Sequence, residues 1–467
     1  MGSLEVVKRF IKSSTLAEMT ALNIYEWLPL SFRDRFFYGD AYINWLSLLK
    51  DADEWDKKKL DLYQFEQTKK ILVHAKENIP FYREFFSDIG FSPTKMQSLS
   101  DMKTLPYLKR ETVRDRALSF LDEHISPASL VKANTSGSSG IPLTLYRSRE
   151  AIAAYLAFRL HILSRIGYTP KAREVMFWPM IELGKRRNLP FARFGNKLAF
   201  SIRHLTGDWL LKFYKMTQKF DAEYIFAYPS VLSIISSYIK RNSLPSIKKV
   251  KAVVTFGESL FEWQKEQIEE VFGRTFSFYS MGERAVVGGE CEYTSAIHMH
   301  PAYGFVEFVD SIQGYKEIVA TGLTNDIMPL VRYKTGDVVT EYSQHCSQCG
   351  RSHTIVSKVV GRTQDFLIDK NREIIPMLMT WIKTFPHVLQ FQFLQEEPGK
   401  AYLQILKDNG YKDGDTNYIR LKLDEMLGLM KQGITIDIVF VDEIQPMSSG
   451  KVQMVNQKLN MRDYLMA

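Results

Sequence analysis

At 467 residues the chain is too long for one ordinary hydrophobic core, so two or more domains are expected. Hydrophobic residues at 45% and charged residues at 24% are ordinary globular values and exclude a disordered chain. The net charge of +8 is modest, and no recognised nucleic-acid-binding motif accompanies it, which argues against a nucleic-acid partner.

The opening stretch MGSLEVVKRFIKSS lacks the apolar core of a secretory signal, and Val6 stands where a myristoylation pattern needs Ser or Thr. Residues 1–125 read as mainly helical. In YQFEQTKKILVHAKENIPFYREFF, Phe65, Ile71, Leu72 and Ala75 recur at helical spacing, and Pro80 ends that helix. From about 130 to 340, strand-like and helical segments alternate. Much of the positive charge lies between Lys185 and Lys219, as a solvated basic face or a contact for an anionic ligand such as a nucleotide tail, a sugar acid or a membrane surface. The longest uncharged run, Tyr224 to Ile239, is about four residues short of the roughly 20 that span a bilayer. It contains Pro229 and reads as a buried loop and helix. No transmembrane segment is expected, and the protein reads as soluble and cytoplasmic, with room for peripheral membrane contact. VKAVVTF is suited to a buried strand. SLFEWQKEQIEEVFG follows as a helix, with a capping box from Ser259 and Glu262 and a stop at Gly273, and TFSFY is the next strand. This order predicts an α/β sheet. The last hundred residues change character: VLQFQFLQ, AYLQILK, a helix over 416–432 and ITIDIVFV give a small β-β-α-β unit of α+β type.

Between the strand-like SLVKA and PLTLY lies Thr135-Ser136-Gly137-Ser138-Ser139-Gly140. A linker should separate domains, yet apolar strand sequence resumes at once. Two readings stand: a plain hairpin turn, or a loop whose glycines turn backbone N–H groups inward and whose hydroxyls add donors for phosphate oxygens. It is not a Walker loop, because no Gly-Lys-Ser/Thr follows.

YSMGE (279–283), RYKTGD (332–337), GRTQD (361–365) and SSGK (448–451) follow the loop in that order. Together the five stretches resemble the ordered core motifs of the adenylate-forming superfamily. The resemblance is nearest to its phenylacetate–CoA ligase-like branch, which includes capsular-polysaccharide-biosynthesis members, and it covers roughly residues 65–460. It implies an α/β fold with a large multi-subdomain N-terminal domain, residues 1–364, and a small mobile α+β C-terminal domain, residues 365–467, with the site between them. It further implies conversion of a carboxylate and ATP to acyl-AMP and pyrophosphate, then acyl transfer. Carried over by motif, residues 135–140 grip the ATP phosphates. Gly257-Glu258 and the Tyr279 ring border adenine. Glu283 holds Mg²⁺, and Asp337 accepts from the ribose hydroxyls, assisted by Arg362. Asp365 is the hinge, and Lys451 approaches the acyl carboxylate and the α-phosphate. The chemistry suits these residue types, because a carboxylate attacking a phosphate brings like charges together, and one Lys and one Mg²⁺ offset that repulsion. Many relatives carry Lys after this loop; here Leu143 occupies that place, so the grip relies on backbone and hydroxyl donors.

HCSQCGR supplies Cys346 and Cys349 at the C-x₂-C spacing of half a zinc site. The third cysteine, Cys291, has His298 and His300 just beyond it. Three cysteines and one histidine make a Cys₃His tetrahedron; three free thiols are the alternative. In the branch named above, a histidine at the start of the strand after the Cys loop is a zinc ligand, which selects His298. Such a Zn²⁺ is structural, because four protein ligands leave no open position. The acyl pocket is expected around Tyr228, Ser230 and Met281. The expected function is an ATP-dependent carboxylate-activating ligase whose acceptor is CoA or an amine or hydroxyl, such as an amino acid or sugar derivative, in surface-polysaccharide biosynthesis. The alternative is a non-catalytic ATP-binding scaffold of a polysaccharide complex.

Overall fold

The computed structural model describes residues 20, 30–135, 143–178, 181–183, 186–204, 207–311, 314–362, 366–372, 374–376, 385–430, 433–445 and 453–459. Its contacts fall into two compact units, one made of Leu28–Pro170 and Phe276–Val359, the other drawn mainly from Lys171–Thr275 and Val360–Ala467.

In the first unit the helix Lys57–Asn78 buries Ile71, Leu72 and Ala75, the apolar stripe of the sequence. Pro80 does more than end it. At the first position of the helix Pro80–Asp88, where no backbone donor is required, it also starts the next helix. That helix sets Phe81 and Tyr82 into the core, with Phe81 stacked on Phe120 at 3.9 Å. The buried Tyr82 hydroxyl donates to the Pro329 carbonyl at 2.8 Å and accepts from the Val331 amide at 3.1 Å. The strands Gly304–Asp310, Lys316–Gly322 and Tyr333–Val339 form an antiparallel meander. A second antiparallel run joins Thr275–Ser280, Val287–Gly289, Ile297–Met299, Ile355–Val356 and Tyr342–Ser343. Val131–Thr135 and Leu143–Arg147 pair as a hairpin with Thr135 opposite Leu143. The hydroxyl-rich stretch therefore connects the two arms of a hairpin, and residues 136–142 lie outside the described ones. Leu143 is fully buried and packs in the core.

In the second unit the parallel strands Ala252–Phe256, Tyr224–Ala227, Glu174–Trp178 and Lys197–Ser201 lie side by side in that order, and Phe191–Phe194 adds an antiparallel edge. All four residues of Tyr224–Ala227 are buried, as a strand covered on both faces requires. The uncharged run is thus a strand followed by the helix Pro229–Arg241, not a loop and helix. The helix Glu262–Phe272 begins two residues later than a cap at Ser259 gives, because the Phe261 amide takes the Gln264 side chain at 3.1 Å. Gly273 ends it at φ 84, a conformation costly for any residue with a Cβ. In the C-terminal part, Val388–Glu397 pairs antiparallel with Lys400–Lys407. Thr435–Phe440 and a fourth strand, Val455–Gln457, flank them in parallel. The helix Asp413–Met430, three residues earlier at its start than the sequence pattern gives, buries Ile419 and Leu423 against Phe393, Leu403 and Ile405. Arg241 pairs with Asp408 and donates to the Val388 carbonyl at 3.0 Å, tying the helix Pro229–Arg241 to this sheet. Among the described residues, no helix is long and apolar enough to cross a membrane.

Candidate functional site

The TGD stretch sits in an irregularity of the meander. Register runs from Glu317 opposite Val338 to Val319 opposite Lys334, so one strand advances two residues while the other advances four. Gly336 at φ 76 makes that bulge, and its amide donates to Glu317 at 3.2 Å. The bulge re-aims Asp337, which is 7% exposed and accepts from the Tyr279 hydroxyl at 2.7 Å. Two residues that the sequence assigns to the same nucleotide, one by its ring and one by its carboxylate, are therefore bonded to each other.

Glu283 lies in the turn after Thr275–Ser280. The Arg284 amide closes the turn on the Met281 carbonyl at 3.1 Å, and Arg284 takes φ 53, a strained value for a residue with a side chain. The Arg284 guanidinium sits 3.7 Å over the Tyr155 ring, and Arg147 donates to the Gly282 carbonyl. Glu283 itself is buried and pairs with Arg110, while the Tyr333 hydroxyl donates to it at 3.2 Å. Burial and then the charge of Glu283 push the Tyr333 hydroxyl well above its ordinary range, so it stays a donor. Arg110 opens the helix Arg110–Asp115, 173 residues before its partner. No local motif marks it, and sequence reading missed it. Met281 is buried in the core of this unit.

Mg²⁺ is usually bound through one or two carboxylates together with phosphate and water oxygens. Glu283 offers such a hard oxygen donor, and in this structure Arg110 answers its charge.

Glu258 accepts from the Ser230 amide and hydroxyl, both at 3.1 Å, so the residue expected beside adenine grips one expected in the acyl pocket. Gly257 has φ 78. Tyr228 is 8% exposed, its ring 5.2 Å from Phe256; burial, then the Glu258 charge, push its hydroxyl up to about 12. Tyr228, Ser230, Gly257 and Glu258 belong to the second unit; Tyr279, Met281, Glu283 and Asp337 belong to the first. Thr135 ends its strand and Arg362 ends the strand Val359–Arg362. Ser136, Gly137, Ser138, Ser139, Gly140, Asp365 and Lys451 lie outside the described residues.

The structure also brings Cys291, His298, Cys346 and Cys349 together, with one ligand atom from each within 4.8 Å of the others. Cys349 Sγ is 4.0 Å from His298 Nε2. The C-x₂-C segment forms a tight turn: the Gly350 amide donates to the Cys346 carbonyl at 2.9 Å, and Gly350 takes φ 74. Burial opposes ionisation of Cys346, but backbone donors from Cys349 and Gln348 hold its thiol below the ordinary value. Burial, then the charges of Arg165 and Arg351, push His298 down to about 3, leaving the neutral imidazole that ligates metals. Three soft sulfurs and one imidazole nitrogen, converging and nearly dry, fit the tetrahedral donor set of zinc. Behind the turn, Arg351 makes a two-pronged pair with Glu292 at 2.7 and 2.9 Å and reaches Asp53 at 2.9 Å.

Residues 367–458 match the family described as the CapK C-terminal domain. The chain is 23% identical over 441 residues to "Protein CapK" of Staphylococcus aureus, a match covering 92% of this chain and 96% of that protein. It is 25% identical over 334 residues to phenylacetate-coenzyme A ligase of Thermus thermophilus, covering 68% and 74% of the two chains. A solved structure of 2-hydroxyisobutyryl-CoA ligase in the postadenylation state, bound to R3-HIB-AMP, superposes with a TM-score of 0.69 at 15% identity, covering 87% of this chain and 91% of that one. The architecture is thus that of a mixed helix-and-sheet ligase fold with a large N-terminal and a smaller C-terminal domain.

Proposed function

The chain belongs to the adenylate-forming superfamily, in its phenylacetate–CoA ligase-like branch, and from that premise we propose that it is an ATP-dependent ligase that activates a small carboxylic acid. The observation that carries the reading is the pair of buried carboxylates, Glu283 and Asp337, each fixed by its own partners at the motif positions of such an enzyme.

In the first step a carboxylate oxygen of the acid attacks the α-phosphorus of ATP. The bond to the bridging oxygen of pyrophosphate breaks, giving acyl-AMP and pyrophosphate. In the second step the acceptor's thiol, amine or hydroxyl attacks the acyl carbon, AMP leaves with the bonding pair, and the acceptor proton passes to solvent. Donors of the 135–140 loop hold phosphate oxygens, and Leu143, a core residue, takes no part in that grip. Asp337 accepts from the ribose hydroxyls, with Tyr279 fixing its orientation and Arg362 assisting. Gly257-Glu258 lines the adenine side. Lys451 offsets the like charges of carboxylate and phosphate in the first step, and its small domain turns about Asp365 before the second. Glu283 would hold Mg²⁺, which when bound neutralises phosphate charge. Cys291, His298, Cys346 and Cys349 would hold a structural zinc.

The acceptor is CoA or an amine or hydroxyl of a surface-polysaccharide precursor. The match to phenylacetate-coenzyme A ligase of Thermus thermophilus supports the first of these. Acid-dependent pyrophosphate release, measured over candidate acids with and without CoA or amino acids, tests the proposal. Release only with an acid present supports it, and the dependence on acceptor assigns the second step. ATP binding without release for any acid favours the non-catalytic scaffold.

A further inference from the structure

Beside the cysteine site lies a second convergence of donors that the proposed chemistry does not use. Asp53 follows the helix Leu30–Ala52, His161 lies in the last turn of the helix Arg149–Ser164, His300 follows the strand Ile297–Met299, and His353 precedes Ile355–Val356. Ligand atoms of Asp53, His300 and His353 lie within 4.8 Å of one another. His161 Nε2 is 3.2 Å and His353 Nε2 3.7 Å from Asp53 Oδ1. The His300 ring centre is 5.0 Å from that of His353 and 5.6 Å from that of His161.

His300 and His353 are buried, and Asp53 and His161 are half-buried. Among the described residues, both ring nitrogens of His300, both of His353, His161 Nε2 and Asp53 Oδ1 have no well-aligned hydrogen-bond partner. An orphaned buried polar atom bears the cost of its lost hydration, and the convergence of Asp53, His300 and His353 calls for an occupant. A metal–nitrogen or metal–oxygen bond of about 2.0–2.2 Å sets neighbouring tetrahedral donors roughly 3.3–3.6 Å apart. The two separations from Asp53 Oδ1 are on that scale, and His161 joins the group of Asp53, His300 and His353 through its contact with Asp53.

We propose that Asp53, His161, His300 and His353 bind a second divalent transition-metal ion, through nitrogen and oxygen alone, next to the Cys₃His site. Imidazole and carboxylate donors suit zinc, and four protein ligands leave no open position, so the ion is structural. It ties the ends of two helices to the strands that carry the cysteine site. Two neighbouring cations oppose it: Arg165 Nη2 lies 3.6 Å from Asp53 Oδ1, and Arg351 engages Oδ2. Glu292 already balances Arg351, and three thiolates around one divalent ion leave a net negative charge next door that offsets Arg165.

The test uses the full-length, untagged protein, stripped with chelator and reloaded with Zn²⁺ or Co²⁺. Wild type should hold two equivalents. Only one should give the sulfur-to-Co²⁺ charge-transfer band, and the other should contribute weaker visible bands of a nitrogen/oxygen site. His353→Gln and, separately, Asp53→Asn should each hold one equivalent with the sulfur band unchanged, which also shows that the fold around the thiols survives. Their second affinity should fall by more than the roughly 10- to 100-fold that loss of an outer-shell partner costs. A wild type that binds one equivalent, all of it sulfur-ligated, overturns the proposal and leaves ordered water among the imidazoles. Retention of two equivalents in both variants also overturns it. Should both variants lose both metals, the wild-type count and its spectrum decide between the same two outcomes.

Discussion

The two polar corners of the unit Leu28–Pro170 and Phe276–Val359 are built on opposite plans. Around Glu283 and Asp337, the buried charges are already answered by protein: Arg110 and Tyr333 hold one carboxylate, and Tyr279 holds the other. Around Cys291, His298, Cys346 and Cys349, with His300 and His353 beside them, metal-ligating atoms converge, and His298 Nδ1 and the ring nitrogens of His300 and His353 have no hydrogen-bond partner among the described residues. The difference separates two uses of a ligand. A site that must release its nucleotide each turnover keeps partners of its own for the empty state. A corner that would hold a permanent ion, as proposed for the cysteine site, gathers its donors for that ion, which then forms part of the folded structure.

The sharpest way to break this contrast is to remove a ligand from the dependent corner. Cys349→Ser should lose its zinc and destabilise the protein by on the order of 5 kcal/mol, because metal-binding and folding free energies are shared. Elemental analysis and thermal unfolding of the same samples check it; full stability in zinc-free protein would show that the corner stands without an ion.

The self-satisfied corner should respond differently, through pairwise coupling. Arg110→Met strands a 3%-exposed carboxylate and should cost about 2–4 kcal/mol, the lower part being favoured by the 20% exposure of Arg110. In a Glu283→Gln background the same change should cost far less, because no charge is stranded. Denaturant unfolding of the four proteins gives the coupling, and a value near zero would make the ion pair incidental.

Asp337→Ala should leave the fold largely intact and weaken ATP by roughly 10- to 100-fold, corresponding to about 1.5–3 kcal/mol for a charged hydrogen-bonding group. Calorimetry giving an unchanged affinity would remove Asp337 from the nucleotide site. Tyr279→Phe takes away only one donor to Asp337. It should weaken ATP by a few-fold, about 1 kcal/mol, while Tyr279→Ala, which also loses the ring, should do more. Equal effects of the two changes would mean that the ring does not border adenine.

Local pattern carried most of the elements. The stripe of Ile71, Leu72 and Ala75, the all-apolar strand at 224–227 and the β-β-α-β order after 388 follow from spacing and burial alone. The start of the helix at Glu262 was misplaced because Ser259 and Glu262 have the right spacing for a cap, yet Gln264 reaches back to Phe261 instead. The grouping of Cys291, Cys346 and Cys349 was legible because cysteine is scarce in this chain and C-x₂-C is a recognisable spacing, whereas the choice of His298 over His300 came from the family resemblance. Arg110, Asp53 and His161 were not, since each acts across more than 100 residues through tertiary packing and none belongs to a spaced motif; Tyr333 lies inside RYKTGD, but its reach across 50 residues to Glu283 is likewise set by packing. Leu143 is the instructive intermediate case: sequence marks the missing lysine, and the hairpin register explains that this position faces the core.

The central claim, that one lysine serves carboxylate activation and not acyl transfer, is tested most directly by assaying the two half-reactions of Lys451→Ala separately. Acid-dependent formation of acyl-AMP should fall by roughly 10²–10³-fold, the scale of one lost charged transition-state contact. Transfer from chemically supplied acyl-AMP to the acceptor should stay within a few-fold of wild type. Equal loss of both half-reactions, or full activation without this lysine, would contradict the account.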